Sequence, residues 1–100
     1  MIFTEKEKFG QLIRLTEERW QHIIERHPEV EKHLAKIQLT IQKPDIIIKN
    51  YYNQSERYYH KYFKSLKNYL IVIVEYEKDF IITVFISRKI KQGGILWKKL

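Results

Sequence analysis

The feature that most limits the possible folds is a series of β-type segments that fills the chain from Asp45 onward. These segments are rich in β-branched and aromatic side chains, which favour strands, and short polar connections separate them. Consecutive strands with short connections pair with their neighbours, so the pattern predicts a four-stranded antiparallel meander. Gly93-Gly94 ends the meander, and residues 95–97 are expected to return to the edge of the core. The predicted strands are residues 45–52, 56–63, 69–75 and 80–87.

Two helices are predicted before the meander. Thr16 is a suitable N-cap for the first, which should end near His27 because Pro28 cannot continue its hydrogen bonding. Pro28 is well placed as the first residue of the second helix, and Pro44 stops that helix. Apolar residues recur at helical spacing in both segments: Trp20, Ile23 and Ile24 in the first, and Val30, Leu34, Ile37 and Ile41 in the second.

These elements predict an α+β fold in which two N-terminal helices pack on one face of a four-stranded antiparallel sheet. The other face of the sheet is expected to be open and basic. The length of 100 residues is that of a single domain, so residues 1–100 are expected to form one domain. Residues 11–15 are expected to be a short extended segment before the first helix.

The positive charge is concentrated in the second half of the chain. Residues 1–42 contain seven Lys/Arg and seven Asp/Glu, whereas residues 43–100 contain twelve and five and therefore carry the whole net charge of +7. A one-sided positive field attracts polyanions, and phosphate backbones are the commonest of these. The alternative is that the lysines only keep a β-rich half soluble and protect its edges.

The composition excludes several other classes of protein. There is no cysteine, which excludes a disulfide framework and a thiolate zinc site. The N-terminus does not resemble a secretory signal, and the longest apolar run, residues 69–74, is far shorter than the roughly 20 residues of a membrane span. A cytoplasmic protein without membrane contact is predicted. No glycine-rich phosphate loop and no metal-ligand spacing of histidines and carboxylates is present, so neither cofactor nor metal is expected.

His27 is the strongest candidate for a catalytic residue. It ends the first helix on the apolar stripe, directly before Pro28, which predicts a position at the boundary between helix and sheet. Cleavage of RNA without a metal needs one group that accepts a proton, one that donates a proton and cations that stabilise the phosphate. Histidine suits the proton transfers because its pKa is ordinarily near neutrality. The alternative is that His27 only caps the second helix.

The segment 56–63 offers two different sets of candidates, because side chains alternate between the two faces of a strand. Arg57, Tyr59 and Lys61 share one face, and His60 lies on the other. Both faces carry aromatic rings, so the alternation does not decide which one is buried. If the first set faces solvent, it forms a row of cation, aromatic and cation that suits a phosphate and a stacked base. If the second set faces solvent, His60 becomes the candidate.

The last predicted strand adds small polar groups to the open face. Ile82, Val84 and Ile86 are uniformly apolar and are expected to face the helices, which directs Thr83 and Ser87 to the open side. Hydroxyl groups there could bond to a phosphate oxygen, although such groups on an exposed strand often have no function. Two further cations are candidates for binding RNA: Arg88 at the strand end, and Arg26, which lies off the apolar stripe of the first helix.

Several motifs together resemble the phage-type barnase–EndoU–colicin–RelE-like nuclease superfamily. The resemblance extends roughly from Leu15 to Trp97. It is carried by the opening segment 15–23, Arg26-His27-Pro28-Glu29, Lys43-Pro44-Asp45, Arg57-Tyr58-Tyr59, residues 69–74 and residues 82–90.

The resemblance implies a metal-independent endoribonuclease, in many relatives a toxin of a toxin–antitoxin or phage-conflict system with a small antitoxin protein as partner. Carried over residue by residue, it implies a catalytic set of His27, Arg57, Tyr59, Thr83 and Ser87. Lys61, Arg88, Arg26 and His60 are predicted beside this set as RNA-binding residues, on the strand and charge patterns above rather than on the resemblance. No glutamate plainly matches the general base of barnase, so the identity of the base stays open.

The expected reaction is attack of a 2′-hydroxyl on the adjacent phosphate, which leaves a 2′,3′-cyclic phosphate. His27 would act as acid or base, Arg57 and Lys61 would hold the phosphate, and Tyr59 would stack or donate a hydrogen bond. This mechanism requires His27 and Arg57 to converge on one pocket. Two alternatives remain: a noncatalytic RNA-binding module and a protein-interaction module on the same fold.

Overall fold

The computed structural model describes residues 1–100 as helices packed on one mixed sheet of seven strands. The strand order across the sheet is β1-β2-β6-β5-β4-β3-β7. None of the helices combines the length and the apolar content that would let it cross a membrane. In chain order the elements are β1 Phe3–Lys6, β2 Leu12–Leu15, α1 Glu17–Arg26, a 3-10 helix Pro28–His33, α2 Leu34–Gln42, β3 Ile46–Lys49, β4 Glu56–Phe63, β5 Asn68–Glu75, β6 Phe80–Ser87 and β7 Gly94–Lys98.

The predicted meander is present as β3, β4, β5 and β6, each antiparallel to the next. The prediction of a four-stranded, purely antiparallel sheet is wrong, because three short strands extend the meander on both sides. β7 pairs antiparallel with β3, and the β1–β2 hairpin joins the edge of β6. β2 runs parallel to β6 through a single residue pair, Arg14 opposite Phe80. The three additional strands have only four or five residues each, so their periodicity is a weak signal in the sequence.

The helices follow the predicted signals closely. The Oγ1 atom of Thr16 accepts the backbone N–H of Arg19 at 3.1 Å, which caps α1, and the N–H of His27 closes the helix by donating to the carbonyl of Ile23. Pro28 opens a 3-10 helix rather than an α-helix, and α2 begins only at Leu34. The second predicted helix is therefore divided into two segments.

The sheet has two faces with different coverings. The helix face packs against α1 and α2 and holds the main core, which includes Ile47, Tyr59, Val72 and Val84. The second face holds a smaller cluster of Ile46, Ile48, Tyr58, Ile71 and Ile73, against which Tyr69, Ile82 and Phe85 pack. Residues 88–93 cover part of this second face, since the backbone N–H of Lys91 donates to the buried ring of His60.

A β-bulge in β6 changes the face of the sheet on which the side chains of its first residues lie. Ile73 pairs with Thr83, but the next residue, Val74, pairs with Ile81, so that Ile82 is the additional residue. Ile82 packs with the second-face cluster, which corrects the prediction that it faces the helices. Val84 and Ile86 do pack against the helix-side core as predicted.

Candidate functional site

A cleft of about 800 Å³ lies between α1 and the second-face side chains of β6, and we call it the α1–β6 cleft. It exists because β2 contacts β6 only at Arg14 opposite Phe80, which leaves the rest of that edge of β6 free for α1 to pack beside it. The residues of β6 that line it include Phe80, Thr83 and Phe85. Its polar lining comes from Arg14, Glu18, Arg19, His22, Arg26 and His27.

The ring of His27 is held on two sides within the cleft. It packs on Phe85 with ring centroids 5.7 Å apart, and its Nδ1 lies 3.6 Å from Oε2 of Glu29. The side chain is 33% exposed, so it is supported by neighbours and still reachable from solvent. The predicted position of His27 at the boundary between helix and sheet is confirmed.

Four polar residues of α1 line the cleft, namely the carboxylate of Glu18 and three basic side chains. Arg19, His22 and Arg26 are spaced at i, i+3 and i+7, so they lie in a row. The buried side chains of Trp20 and Ile23 anchor the adjacent face of the helix to the core. Of this row only Arg26 was predicted from the sequence, as a residue that binds RNA, although the same spacing could have identified all three as a cationic stripe beside His27.

The cleft carries a positive charge. Arg14, Arg19 and Arg26 contribute three cations, and Glu18 is the one carboxylate in the lining. Arg14 is partly engaged, because its Nη2 donates to the carbonyl of Lys78 at 3.0 Å, and Arg19 lies 5.6 Å from the ring centroid of Phe80. Arg26 forms no ion pair within the chain. A concave site of this charge attracts anions.

Thr83 joins the cleft and Ser87 does not. On the second face Thr83 lies opposite Ile73, whereas Ser87 lies farther along the strand, opposite Tyr69. The Oγ of Ser87 accepts the backbone N–H of Lys89 at 3.2 Å. Both hydroxyls are on the predicted side of the sheet, but only one of them lies beside His27.

Arg57 and Tyr59 lie on the helix face, so the predicted convergence of His27 and Arg57 on one pocket is wrong. Arg57 pairs with Val74 and Tyr59 with Val72, both of which belong to the helix-side core. Tyr59 is fully buried, and its hydroxyl donates to Oε2 of Glu7 at 2.8 Å. Burial and this hydrogen bond raise the pKa of Tyr59 far above its usual value.

The guanidinium of Arg57 stacks on the ring of Tyr76, with Cζ 3.5 Å from the ring centroid. The facing of β4 was undecidable from the sequence because Tyr58 and Tyr59 both offer a ring to pack. The carboxylate of Glu7, which is distant in sequence, supplies the hydrogen bond that makes burial of the Tyr59 hydroxyl favourable.

Lys61 and His60 also lie outside the cleft. Lys61 is on the helix face, opposite Leu70, where its Nζ donates to the carbonyl of Lys43 at 2.8 Å and lies 3.7 Å from Oδ1 of Asp45. The alternative in which Arg57, Tyr59 and Lys61 form an exposed row is therefore wrong.

His60 is on the second face but fully buried. Its Nδ1 lies 3.3 Å from the carbonyl oxygen of Ile46, and its Nε2 accepts the N–H of Lys91 at 2.9 Å, which requires the Nδ1–H tautomer. Burial lowers the pKa of His60 to about 4. The ring is neutral at pH 7 and holds residues 88–93 against the sheet, with Arg88 in that segment.

No group of three or more histidine, cysteine or carboxylate side chains comes together in an arrangement that could hold a metal ion. The polar groups that the structure does bring together in the cleft are two imidazoles, three guanidiniums, two threonine hydroxyls and the carboxylate of Glu18. This set can transfer protons and bind an oxyanion.

Comparison with known proteins assigns the family. Residues 2–98 match the family model PBECR2, described as phage-Barnase-EndoU-ColicinE5/D-RelE like nuclease2. No curated protein and no solved structure matches the chain. The family model covers nearly the whole chain, so the protein belongs to the phage-Barnase-EndoU-ColicinE5/D-RelE like nuclease2 family.

Proposed function

We propose that this protein is an endoribonuclease that cleaves RNA in the α1–β6 cleft without a metal ion. Membership in a nuclease family supports a nucleic acid as substrate. The observation that carries the proposal is the presence of two imidazoles and three guanidiniums around one cleft, with the hydroxyl of Thr83 in its wall. Cleavage of RNA without a metal needs two kinds of functional group: groups that transfer protons and groups that bind the phosphate.

The proposed reaction begins when the 2′-oxygen of a ribose attacks the adjacent phosphorus. The 2′-hydroxyl proton passes to a base, the bond from phosphorus to the 5′-oxygen breaks, and that oxygen takes a proton from an acid. The products are a 2′,3′-cyclic phosphate and a 5′-hydroxyl end. The reaction needs RNA, because DNA has no 2′-hydroxyl to act as the nucleophile.

His27 is the proposed base or acid, with His22 as the second proton-transfer group. Glu29 lies on the Nδ1 side of the His27 ring, and no hydrogen bond within the chain uses Nε2, so this atom is available to substrate. Arg19 and Arg26 are the proposed phosphate ligands, since a guanidinium matches two phosphate oxygens at once. The hydroxyl of Thr83 is proposed to donate to a third oxygen.

The test is cleavage of total RNA by the purified protein, with and without EDTA, followed by chemical analysis of the new ends. We expect cyclic phosphate ends in both conditions and, for His27→Ala, a rate lower by on the order of 100-fold or more. His33→Ala is the matched control, because His33 lies outside the cleft in the 3-10 helix. Loss of all cleavage with EDTA, or equal rates for both variants, would contradict the proposed mechanism.

We further propose that the protein acts in the cytoplasm as a toxin, held inactive by a small antitoxin protein. The phage-associated nuclease family supports this role. Induced expression of the wild-type chain is expected to stop bacterial growth, and expression of His27→Ala is not. If wild type and His27→Ala stop growth equally, the growth arrest does not depend on cleavage, and the proposed toxin mechanism is contradicted.

A further inference from the structure

We propose that the second face carries a separate nucleotide-binding subsite, which holds a base and a phosphate of the RNA strand that is cut in the α1–β6 cleft. This subsite is a groove of about 710 Å³ between residues 88–93 and the second-face residues Ile48 and Tyr69, with Tyr51 in its wall. We call it the tyrosine groove. The inference rests on the proposed function and names where the rest of the substrate binds.

The side chains of the tyrosine groove suit single-stranded RNA. Tyr51 is 67% exposed, and Tyr69 is half-buried, so each can offer a ring to a base. Arg88, Lys89 and Lys91 add three cations, none of which forms an ion pair within the chain, and the lining contains no carboxylate. The Nζ of Lys91 lies 5.3 Å from the ring centroid of Tyr58, whereas Arg88 and Lys89 have no such partner. Rings beside unpaired cations are the combination that binds unpaired nucleotides, since the rings stack on bases and the cations contact phosphates.

The groove is held in shape before any ligand binds. The ring of Tyr69 meets those of His60 and Tyr62 edge-on, with centroids 6.3 Å and 5.4 Å away. The Lys91 N–H is fixed by Nε2 of His60 at 2.9 Å. A Cβ atom at Gly93 would lie 2.3 Å from the carbonyl oxygen of Lys49, so only glycine allows residues 88–93 to approach β3 this closely. Preorganisation of this kind reduces the entropy lost on binding.

The tyrosine groove and the α1–β6 cleft open on the same face of the sheet. Thr83 and Phe85 line the cleft, and Ser87 follows on the same side of β6, opposite Tyr69 of the groove. The distance along β6 from Thr83 to Ser87 is about 13 Å at the usual rise per strand residue. A few nucleotides of single-stranded RNA span this distance, so one strand can occupy both sites.

Binding of uncleavable 2′-O-methyl RNA of two lengths tests the subsite. A dinucleotide is short enough to occupy the cleft alone, whereas a hexanucleotide reaches the tyrosine groove as well. The test variants are Tyr51→Ala and Arg88→Ala. The matched controls are Tyr52→Ala, a neighbouring tyrosine that is 98% exposed and outside the groove, and Lys64→Ala, an exposed cation in the β4–β5 connection.

We expect wild type to bind the hexanucleotide more tightly than the dinucleotide. Tyr51→Ala and Arg88→Ala should each weaken hexanucleotide binding on the order of tenfold, which is the scale of one lost stacking contact. The two controls should stay within about twofold of wild type, because neither touches the groove. Circular dichroism of the variants confirms that they are folded.

The outcomes separate this inference from the proposed nuclease activity. If wild type cleaves RNA but the test variants bind the hexanucleotide as tightly as the controls do, the subsite is refuted and the nuclease stands. If wild type cleaves no RNA but hexanucleotide binding still depends on Tyr51 and Arg88, the groove stands and the nuclease is refuted. Absence of hexanucleotide binding to wild type refutes the subsite.

Discussion

Two polar clusters on opposite faces of the sheet contain similar residue types but differ in whether their members bind one another. On the helix face, Glu7 is nearly fully buried and accepts the hydroxyl of Tyr59 and the backbone N–H groups of Phe9 and Gln11. We call this the Glu7 cluster, with Tyr76 and Arg57 stacked beside it. In the α1–β6 cleft, Arg26 and the Nε2 atom of His27 have no partner in the chain.

The difference separates polar groups that stabilise the fold from polar groups that are free for a ligand. A buried carboxylate is tolerated only when hydrogen bonds replace its hydration, and those bonds leave it nothing to offer a substrate. A half-exposed imidazole and an unpaired guanidinium remain hydrated and can exchange that water for a phosphate. We therefore expect substitutions in the Glu7 cluster to affect stability, and substitutions in the cleft to affect catalysis.

The largest expected effect is loss of stability on removing Glu7. Glu7→Ala leaves the buried hydroxyl of Tyr59 and two partly buried backbone N–H groups without their acceptor, and an unsatisfied donor costs about 1–3 kcal/mol when it is buried and less when water reaches it. We expect the free energy of unfolding in urea to fall by about 4 kcal/mol. Glu25→Ala is the control, since Glu25 is exposed on α1 and should change stability by less than about 0.5 kcal/mol. If Glu7→Ala and Glu25→Ala have the same free energy of unfolding, the Glu7 cluster contributes nothing to the stability of the fold.

A somewhat smaller effect is expected from acid, through His60. Its pKa is about 4 in the folded protein, chiefly because of burial, and its ordinary value is 6.5. Between these values the unfolded chain binds a proton that the folded chain does not, so stability falls as the pH drops from 6.5 to 4 and stays lower below that. Over this pH range the titration of His60 lowers the free energy of unfolding by about 3 kcal/mol.

Urea unfolding at pH 7 and at pH 4.5 measures the contribution of His60. Because carboxylates titrate as well, the quantity to compare is the difference in pH dependence between wild type and His60→Asn. We expect the variant to be less stable at pH 7 but to lose less stability in acid. If both proteins lose the same amount, the ring of His60 is not buried in its neutral form and does not hold residues 88–93.

Local sequence signals were sufficient for α1 and the four strands of the meander, but they did not reveal that the second helix is divided after His33. The Thr16 cap, the proline at position 28 and the apolar periodicities each act within one or two turns, so they can be read without knowledge of the rest of the chain. The position of His27 followed from the same signals. Residues of β7 become a strand only by pairing with the distant β3, and the β1–β2 hairpin consists of two strands of four residues each, so the sheet was predicted with too few strands.

Which residues form the site depends on contacts between segments that are far apart in the sequence, and local sequence patterns do not reveal these contacts. Both faces of β4 are buried at its centre, and Tyr59 lies on the face that packs against the helices, where Glu7, far from it in sequence, accepts its hydroxyl. The facing of Ile82 is decided by a bulge. Arg14 reaches the cleft only because β2 runs parallel to β6 at Phe80. Arg19 and His22, by contrast, are detectable from their helical spacing with Arg26, but they lie beside the apolar stripe rather than on it and were not predicted as site residues.

The smallest expected effects, and the most direct comparison of the two clusters, come from one arginine in each. Arg26→Ala should lower kcat/KM for RNA about tenfold by removing a charged phosphate contact, while the free energy of unfolding changes by less than about 0.5 kcal/mol. Arg57→Ala should lower the free energy of unfolding by about 1 kcal/mol, because its stacking on Tyr76 is lost, and leave kcat/KM near the wild-type value. Steady-state cleavage of a short RNA gives kcat/KM for each of the two variants, and urea unfolding gives the free energy of unfolding of each. If Arg57→Ala loses activity and keeps its stability, the guanidinium on the helix face contacts substrate after all, and the division of the molecule into a stabilising face and a catalytic face is incorrect.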